Sequence, residues 1–319
     1  MSQRDLELTV TGLELVAKEI LRITLASRDG GELPDWSPGA HIDLHFESRG
    51  VEYVRQYSLC GRTTDRKHWQ VAVLLVPDGR GGSAHIHEAF QEGDTVRVTG
   101  PRNNFPLVSA PRYLFIAGGI GITPILPMIT EVAAAGSDWR LVYCGRSFGS
   151  MAFIDDVVAL GADKVLLHAD DVHGRADLGA LIAQAGPEAV IYCCGPESML
   201  SAVDENCASW SRDRVHMERF SRREDGDEHT ATAFEVEFAR TGVTVTVPAD
   251  RSILEMAEES GVDIDSSCQE GICGSCETAV ISGTPDHRDE VLSEDERAAG
   301  RTMMVCVSRA CSPRLVLDA

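Results

Sequence analysis

Three cysteines within nine residues, Cys268, Cys273 and Cys276 of the stretch SCQEGICGSC, constrain this chain more than any other feature. A fourth, Cys306, follows after 29 intervening residues. The spacing C-x4-C-x2-C…C is the pattern that ligates a plant-type [2Fe–2S] cluster. Two irons need four thiolates, and a tight loop can bring three of them to one side of the cluster. Gly271 and Gly274 lack a Cβ, so the backbone there can bend closely around the sulfides and aim N–H groups at them. The competing readings are a disulfide framework and a zinc site. Zinc usually takes paired C-x2-C units, and no second pair lies near Cys306. The metal ligands are therefore read as Cys268, Cys273, Cys276 and Cys306.

A chain of 319 residues is long for one core, so two or three domains are expected. The N-terminus, MSQRDLELTV, is polar and lacks the apolar core of a secretory signal. Ten cysteines without such a signal fit a reducing cytoplasm, where thiols serve metals. The longest apolar run, YLFIAGGIGITPILPMI from Tyr113, falls short of the roughly 20 residues of a membrane span. Three glycines and two prolines interrupt it, so no membrane segment is expected. A net charge of −21 argues against a nucleic-acid partner, whose phosphates would repel it. From Phe234 onward 17 acidic residues face 7 basic ones, which serves either solubility or an acidic docking face.

Residues 1–104 read as β structure. ELTVTGLELVA, ILRITLAS, HIDLHFE, VRQYSLC, HWQVAVLLV and DTVRVTG alternate or are rich in β-branched residues, and Gly, Pro and Asp punctuate them. Six short runs of this kind predict an antiparallel barrel. From residue 105 to 222 apolar strands (RYLFIAGG, DWRLVYCG, KVLLHADD, AVIYCCG) alternate with helix-like stretches, the mark of an α/β parallel sheet. The charged stretch at 223–233 reads as a linker. In 234–319, FEVEFART and VTVTVPA predict a hairpin with a two-residue turn at Thr241-Gly242, and SILEMAEESG predicts a helix leading into the cysteine loop.

In this order of barrel, nucleotide-binding sheet and cluster domain, the chain resembles the reductases of two-component Rieske oxygenases, the phthalate dioxygenase reductase and vanillate demethylase reductase type. That family belongs to the ferredoxin–NADP reductase superfamily and carries a C-terminal ferredoxin domain. The resemblance spans essentially the whole chain and implies a β-grasp fold for the last domain.

The motif RQYSL places Arg55, Gln56, Tyr57 and Ser58 on a predicted strand. Alternation puts Arg55 and Tyr57 on one face and Ser58 on the other. By resemblance, the arginine meets the flavin phosphate, the tyrosine packs on the ring and the serine bonds near its N5. GRGGSAHIH sets Gly79, Arg80, Gly81, Gly82 and Ser83 before a helix, where exposed N–H groups and the helix dipole favour an anion. The residues permit FMN or FAD; the resemblance implies FMN. His85 and His87 beside the motif are expected to be structural.

AGGIGITPIL follows a strand and opens a helix. Gly118, Gly119 and Gly121 allow close approach to a ligand, and Thr123 is positioned to cap a helix starting near Pro124. The spacing is not G-x-G-x-x-G; the resembled superfamily uses G-G-x-G-x-T-P, with the threonine near flavin and nicotinamide. Cys194, Gly195 and Pro196 resemble the motif over the transferring nicotinamide carbon. A buried free cysteine is more often a small hydrophobe, and Cys60, Cys144, Cys193, Cys207 and Cys311 are read as packing residues. Arg146 and Ser147 could meet the 2′-phosphate of NADP, whereas Asp170 and Asp171 would repel it. The resemblance implies NADH. Phe220 matches an aromatic that shields the flavin ring.

The resemblance implies electron flow from NADH to FMN to the cluster and on to a terminal oxygenase, with Ser58, Thr123 and Cys194 arranging hydride transfer. A cytochrome P450 is the alternative acceptor. A redox sensor is the alternative of a different class, but a sensor would not need both the flavin and the pyridine-nucleotide motifs.

Overall fold

A computed structural model describes residues 5–48, 50–77, 79, 81–221 and 232–319. They fall into two compact units, Met1–Glu218 and Arg219–Ala319.

The first unit opens with six strands: β1 (Asp5–Ala17), β2 (Ile20–Ser27), β3 (His41–Ser48), β4 (Val51–Ser58), β5 (His68–Leu74) and β6 (Thr95–Arg102). They pair antiparallel in the order β4-β3-β6-β1-β2-β5. Alternation along ILRITLAS turns Leu21, Ile23 and Leu25 into a core with Ile42, Leu44 and Val98. A bridge between Leu59 and Val71 and a bond from Cys60 N to Gln70 O (2.9 Å) join the two edge strands. That contact curls the sheet so that its two edges meet at one end, as in a barrel. One helix, α1 (Gly82–Ala89), follows β5.

Next come β7 (Arg112–Gly118), α2 (Ile122–Ala134), β8 (Asp138–Gly145), α3 (Ile154–Gly161), β9 (Val165–Ala169) and the single turn α4 (Asp170–His173). α5 (Leu178–Ala185), β10 (Val190–Cys194), α6 (Glu197–Asn206) and β11 (Val215–Glu218) complete the module. Its strands are all parallel, in the order β11-β10-β7-β8-β9. α2 and α3 cover one face and α5 and α6 the other, so β10 and, after Arg112, β7 are buried throughout. The core on the α2 face also takes in Ile20, Cys60, Ala72 and Phe105 from the barrel side. The expected boundary at residue 104 therefore runs through a shared core, within one unit. Tyr192 pins the crossing segment, donating to Pro106 O (2.9 Å) and accepting from Val108 N (2.7 Å).

The second unit contains β12 (Phe234–Phe238), β13 (Val243–Val247), α7 (Ile253–Glu259), β14 (Glu277–Ser282), β15 (Pro285–Asp286), α8 (Glu294–Ala299), β16 (Thr302–Met304), β17 (Arg309–Ala310) and β18 (Arg314–Leu317). The main sheet is mixed, in the order β13-β12-β18-β14-β16, with β12 and β18 parallel. α7 starts in a capping box between Ser252 and Glu255 and buries Ile253, Leu254 and Ala257 against the sheet's core, as a β-grasp requires. The hairpin turn is longer than expected. β12 ends at Phe238 and β13 begins at Val243, so four residues turn, and Gly242, at φ +72°, donates its N–H to Phe238 O. The expected linker at 223–233 lies outside the described residues except for Thr232 and Ala233. Among the described residues no helix is long and apolar enough to cross a membrane.

Candidate functional site

The two expected flavin motifs meet. Arg55 and Tyr57 share the inward face of β4, paired in register with Leu44 and Ile42, and Ser58 stands opposite His41 on the other face. Gln56 is on that second face and donates to Asp43, whose two carboxylate oxygens also accept from Arg102 Nη2. The Arg55 side chain lies along the first turn of α1, where a Cβ on Gly82 would come within 2.8 Å of its Nε. A larger residue there would push the Arg55 side chain aside. Gly81 sits at φ +85° before the helix, and no side chain caps it. A cation against an uncapped helix N-terminus fits a phosphate. Tyr53, which sequence reasoning missed, underlies the loop. Its ring carries the Arg55 guanidinium at 4.9 Å, and its hydroxyl would lie 3.3 Å from a Cβ on Gly81. Strand alternation from Arg55 was the signal that could have found it. Ser83 closes the loop, its Oγ accepting from Val76 N at 3.0 Å. Arg80 lies outside the described residues. His85 stacks on Phe46 and His87 bonds the Val73 carbonyl, both structural arrangements.

Neighbouring parallel strands β7 and β10 bring the two nucleotide turns together, Ala117 opposite Cys194. A Cβ on Gly121 would lie 2.1 Å from Cys194 O, and one on Gly195 would lie 3.0 Å from Gly118 Cα. A Cβ on Gly118 would strike Pro196 at 2.6 Å. These glycines serve turn-on-turn packing. Gly119 differs: its φ is +54° and a Cβ would meet nothing, so its surface is open. Thr123 does not cap the helix. A 3₁₀ turn over Gly119–Gly121 runs straight into α2 at Ile122, earlier than expected, and Thr123 Oγ1 donates back to Ile120 O at 2.9 Å. Cys194 is fully buried, and burial with the nearby Glu218 pushes its thiol well above the usual range. Glu218 ends β11 in register with Cys194, its Oε2 4.0 Å from the sulfur. Burial pushes this carboxyl up to about 8. Glu218 was missed because only the pairing of β10 with β11 brings it beside Cys194. At the ends of β8 and β9, Asp171 N donates to Arg146 O at 3.1 Å, so Arg146, Ser147, Asp170 and Asp171 share one edge. Phe220 belongs to the second unit and is 42% exposed.

In the second unit the four expected ligands form two pairs. Cys276 and Cys306 have sulfurs 3.1 Å apart, and Cys268 shares a proton with Cys273. Among the described residues no three His, Cys, Asp or Glu side chains gather as one metal ion requires. Two thiol pairs fit a binuclear cluster instead, one pair to each iron. Cys273 falls to about 6 through its bonds with Cys268 and Ser275, and Cys276 is lowered by Cys306; Cys268 and Cys306 rise. Backbone donors converge on the sulfurs, Glu270 N on Cys268 (3.3 Å) and Ser275 N on Cys273 (3.4 Å). Gly271 and Gly274 take φ of +73° and +77° to make this possible. The residues fit the cluster, with the outer hydrogen bonds such a site needs.

Comparison with known proteins agrees with this geometry. Residues 236–311 match the 2Fe-2S iron-sulfur cluster binding domain family, and residues 7–106 match the oxidoreductase FAD-binding domain family. The carnitine monooxygenase reductase subunit of Escherichia coli (strain K12) is 38% identical over 98% of both chains. The phthalate dioxygenase reductase of Burkholderia cepacia is 37% identical over 98% of this chain and 97% of its own. A solved phthalate dioxygenase reductase structure superposes with a TM-score of 0.71 at 37% identity, covering 99% of this chain and 98% of that one. An intact type IV self-sufficient cytochrome P450 monooxygenase superposes with a TM-score of 0.91 at 45% identity over 99% of this chain. The chain spans only 41% of that polypeptide.

Proposed function

Because this chain belongs to the phthalate dioxygenase reductase type of the ferredoxin–NADP reductase superfamily, with a C-terminal [2Fe–2S] ferredoxin domain, we propose that it delivers electrons from NADH, through FMN and the cluster, to a Rieske-type oxygenase or demethylase. Members of this family are flavin and [2Fe–2S] reductase components of oxygenase systems, and the chain is one of them. The observation that carries the proposal is the presence, in one chain, of a phosphate cradle at Arg55 and Gly82, packed nucleotide turns, and four thiols in two pairs. When bound, the flavin accepts the two electrons of a hydride and releases them singly to a cluster that holds one.

Arg55 and the first turn of α1 would hold the flavin phosphate, with Tyr57 packed on the ring, Ser58 near its N5, Gln56 beside them in the same motif, and Gly81 and Ser83 shaping the loop. The open face of Gly119, with Thr123, Cys194, Gly195 and Pro196, would orient the nicotinamide. Asp170 and Asp171 beside Arg146 favour NADH, because two carboxylates repel a 2′-phosphate. The resemblance to the phthalate dioxygenase reductase type supports FMN, while the domain model matched by residues 7–106 is named for FAD, and a phosphate site built on Arg55 suits either flavin. The ligand roles of Cys268, Cys273, Cys276 and Cys306 complete the path. A P450 acceptor is the second reading, favoured by the fold and 45% identity shared with the self-sufficient P450.

The test is anaerobic reduction with NADH and with NADPH, followed by chromatography of the acid-released flavin and electron delivery to a purified Rieske oxygenase and a purified P450. NADH preference, FMN and delivery to the Rieske protein are expected. FAD, NADPH preference, or delivery to the P450 alone would each replace the corresponding part of the reading.

A further inference from the structure

The unit that carries the cluster begins at Arg219, one peptide bond after Glu218 ends β11. Arg219 Nη1 lies 3.6 Å from Glu290 Oε2, and the two side chains are only 10% and 15% exposed. This ion pair is screened from water far better than the exposed pair of Arg240 with Asp318 in the same unit. Glu290 is also bound to the cluster loop through its backbone, its N–H donating to Gly271 O at 2.8 Å. The fit there is close, since a Cβ on Gly271 would lie 3.1 Å from Asp289 Cα. Asp289 in turn holds the segment's shape, its Oδ2 accepting from Val291 N (3.1 Å) and Leu292 N (2.8 Å). Gly271 lies inside the cysteine loop, between Cys268 and Cys273. A continuous series of contacts thus runs from Arg219 through Glu290 to Gly271 within that loop. Thr232, beyond residues 222–231, is fastened to the same unit, its carbonyl accepting from Arg309 Nη2 at 3.3 Å.

We propose that Arg219 is a positioning residue for the iron–sulfur loop: its ion pair with Glu290 holds the segment whose N–H fixes the Gly271 carbonyl, and with it the loop between Cys268 and Cys273. Hydrogen bonds to cluster sulfurs and nearby charge tune both potential and stability of such a centre. Loss of the pair lets Glu290 and Gly271 relax, so the loop no longer holds Cys268 and Cys273 in place. The inference rests on the four-cysteine ligand set. If that set is wrong, a Cys306→Ser protein will still assemble the cluster, whatever Arg219 does.

The experiment uses the full chain with its cluster in four variants: Arg219→Ala, Arg219→Lys, Glu290→Gln, and Arg240→Ala as a control for losing an exposed pair. The readouts are the electron paramagnetic resonance spectrum of the chemically reduced cluster and the separate rates of flavin and cluster reduction by NADH. Outer hydrogen-bond partners of a metal site typically cost about ten- to hundredfold when removed, so cluster reduction is expected to slow about tenfold in Arg219→Ala and Glu290→Gln. Their spectra should shift, flavin reduction should keep its rate, and Arg219→Lys should recover most of the loss. Glu290→Gln carries the test alone if Arg219→Ala does not fold. Parental spectra and rates in both pair-breaking variants, or the same change in Arg240→Ala, would overturn the proposal.

Discussion

Cys306 and Cys311 lie five residues apart and have opposite surroundings. Cys306 is buried with its sulfur beside Cys276, whereas Cys311 is exposed. Cys306→Ser is therefore expected to abolish the visible iron–sulfur absorbance while leaving the flavin bound and reducible by NADH. Cys311→Ser should keep the full absorbance. Glu218 makes a second prediction at this scale. Burial raises its carboxyl from 4.5 to about 8, so between those values the folded chain holds a proton that the unfolded chain has lost. Stability from this group falls as pH rises through that window and is unaffected below it. Glu218→Gln should match the parent in thermal unfolding below 4.5 and exceed it above about 8. A constant difference at all pH values would remove the carboxyl as the cause.

The glycine turns work as elements. Gly121 is packed against the Cys194 carbonyl, and Gly119 faces open space in the left-handed region. Gly121→Ala must push β7 and β10 apart, an overpacking that costs about 1–3 kcal/mol or more. Gly119→Ala meets no atom and carries only the left-handed backbone cost of about 1–2 kcal/mol. Thermal unfolding should rank Gly121→Ala as the more damaged, whereas Gly119→Ala should raise KM for NADH with a smaller loss of stability. In the flavin loop, Arg55→Ala removes a charge-assisted bond worth about 1.5–3 kcal/mol, or roughly ten- to hundredfold in flavin affinity. Ser83→Ala loosens the same loop by depriving Val76 N of its acceptor. Flavin titration of the two apoproteins measures both effects, and unchanged dissociation constants would count against the cradle.

For the whole molecule, the excess of acidic residues after Phe234 concentrates charge on the unit that carries the cluster. If those carboxylates steer docking, electron delivery to the oxygenase should slow as salt rises. Exposed charges lose most of their reach once the screening length falls to about 8 Å near 0.15 M salt, and steered association slows with it. Hydride transfer to the flavin takes place on one chain and should change far less. Stopped-flow reduction of flavin and partner over a salt series separates the two; equal dependence would leave the acidic surface to solubility.

The sequence by itself determined the periodic elements and pointed to the four cysteines we propose as ligands. Alternation in the first six runs, continuous apolar strands in the next module and the spacing of four cysteines are local patterns, and the strands and thiol pairs follow them. Turn length was less legible, because Gly242 could close the hairpin at more than one register. Tertiary structure alone decided what meets across distance: Arg55 against Gly82, Gly121 against Cys194, Glu218 beside Cys194, and Arg219 on Glu290. None of these pairs has a local signature, since each depends on which strands or loops become neighbours. The shared core that merges barrel and nucleotide sheet into one unit is decided the same way, by apolar faces that separate stretches of chain can bury only against each other.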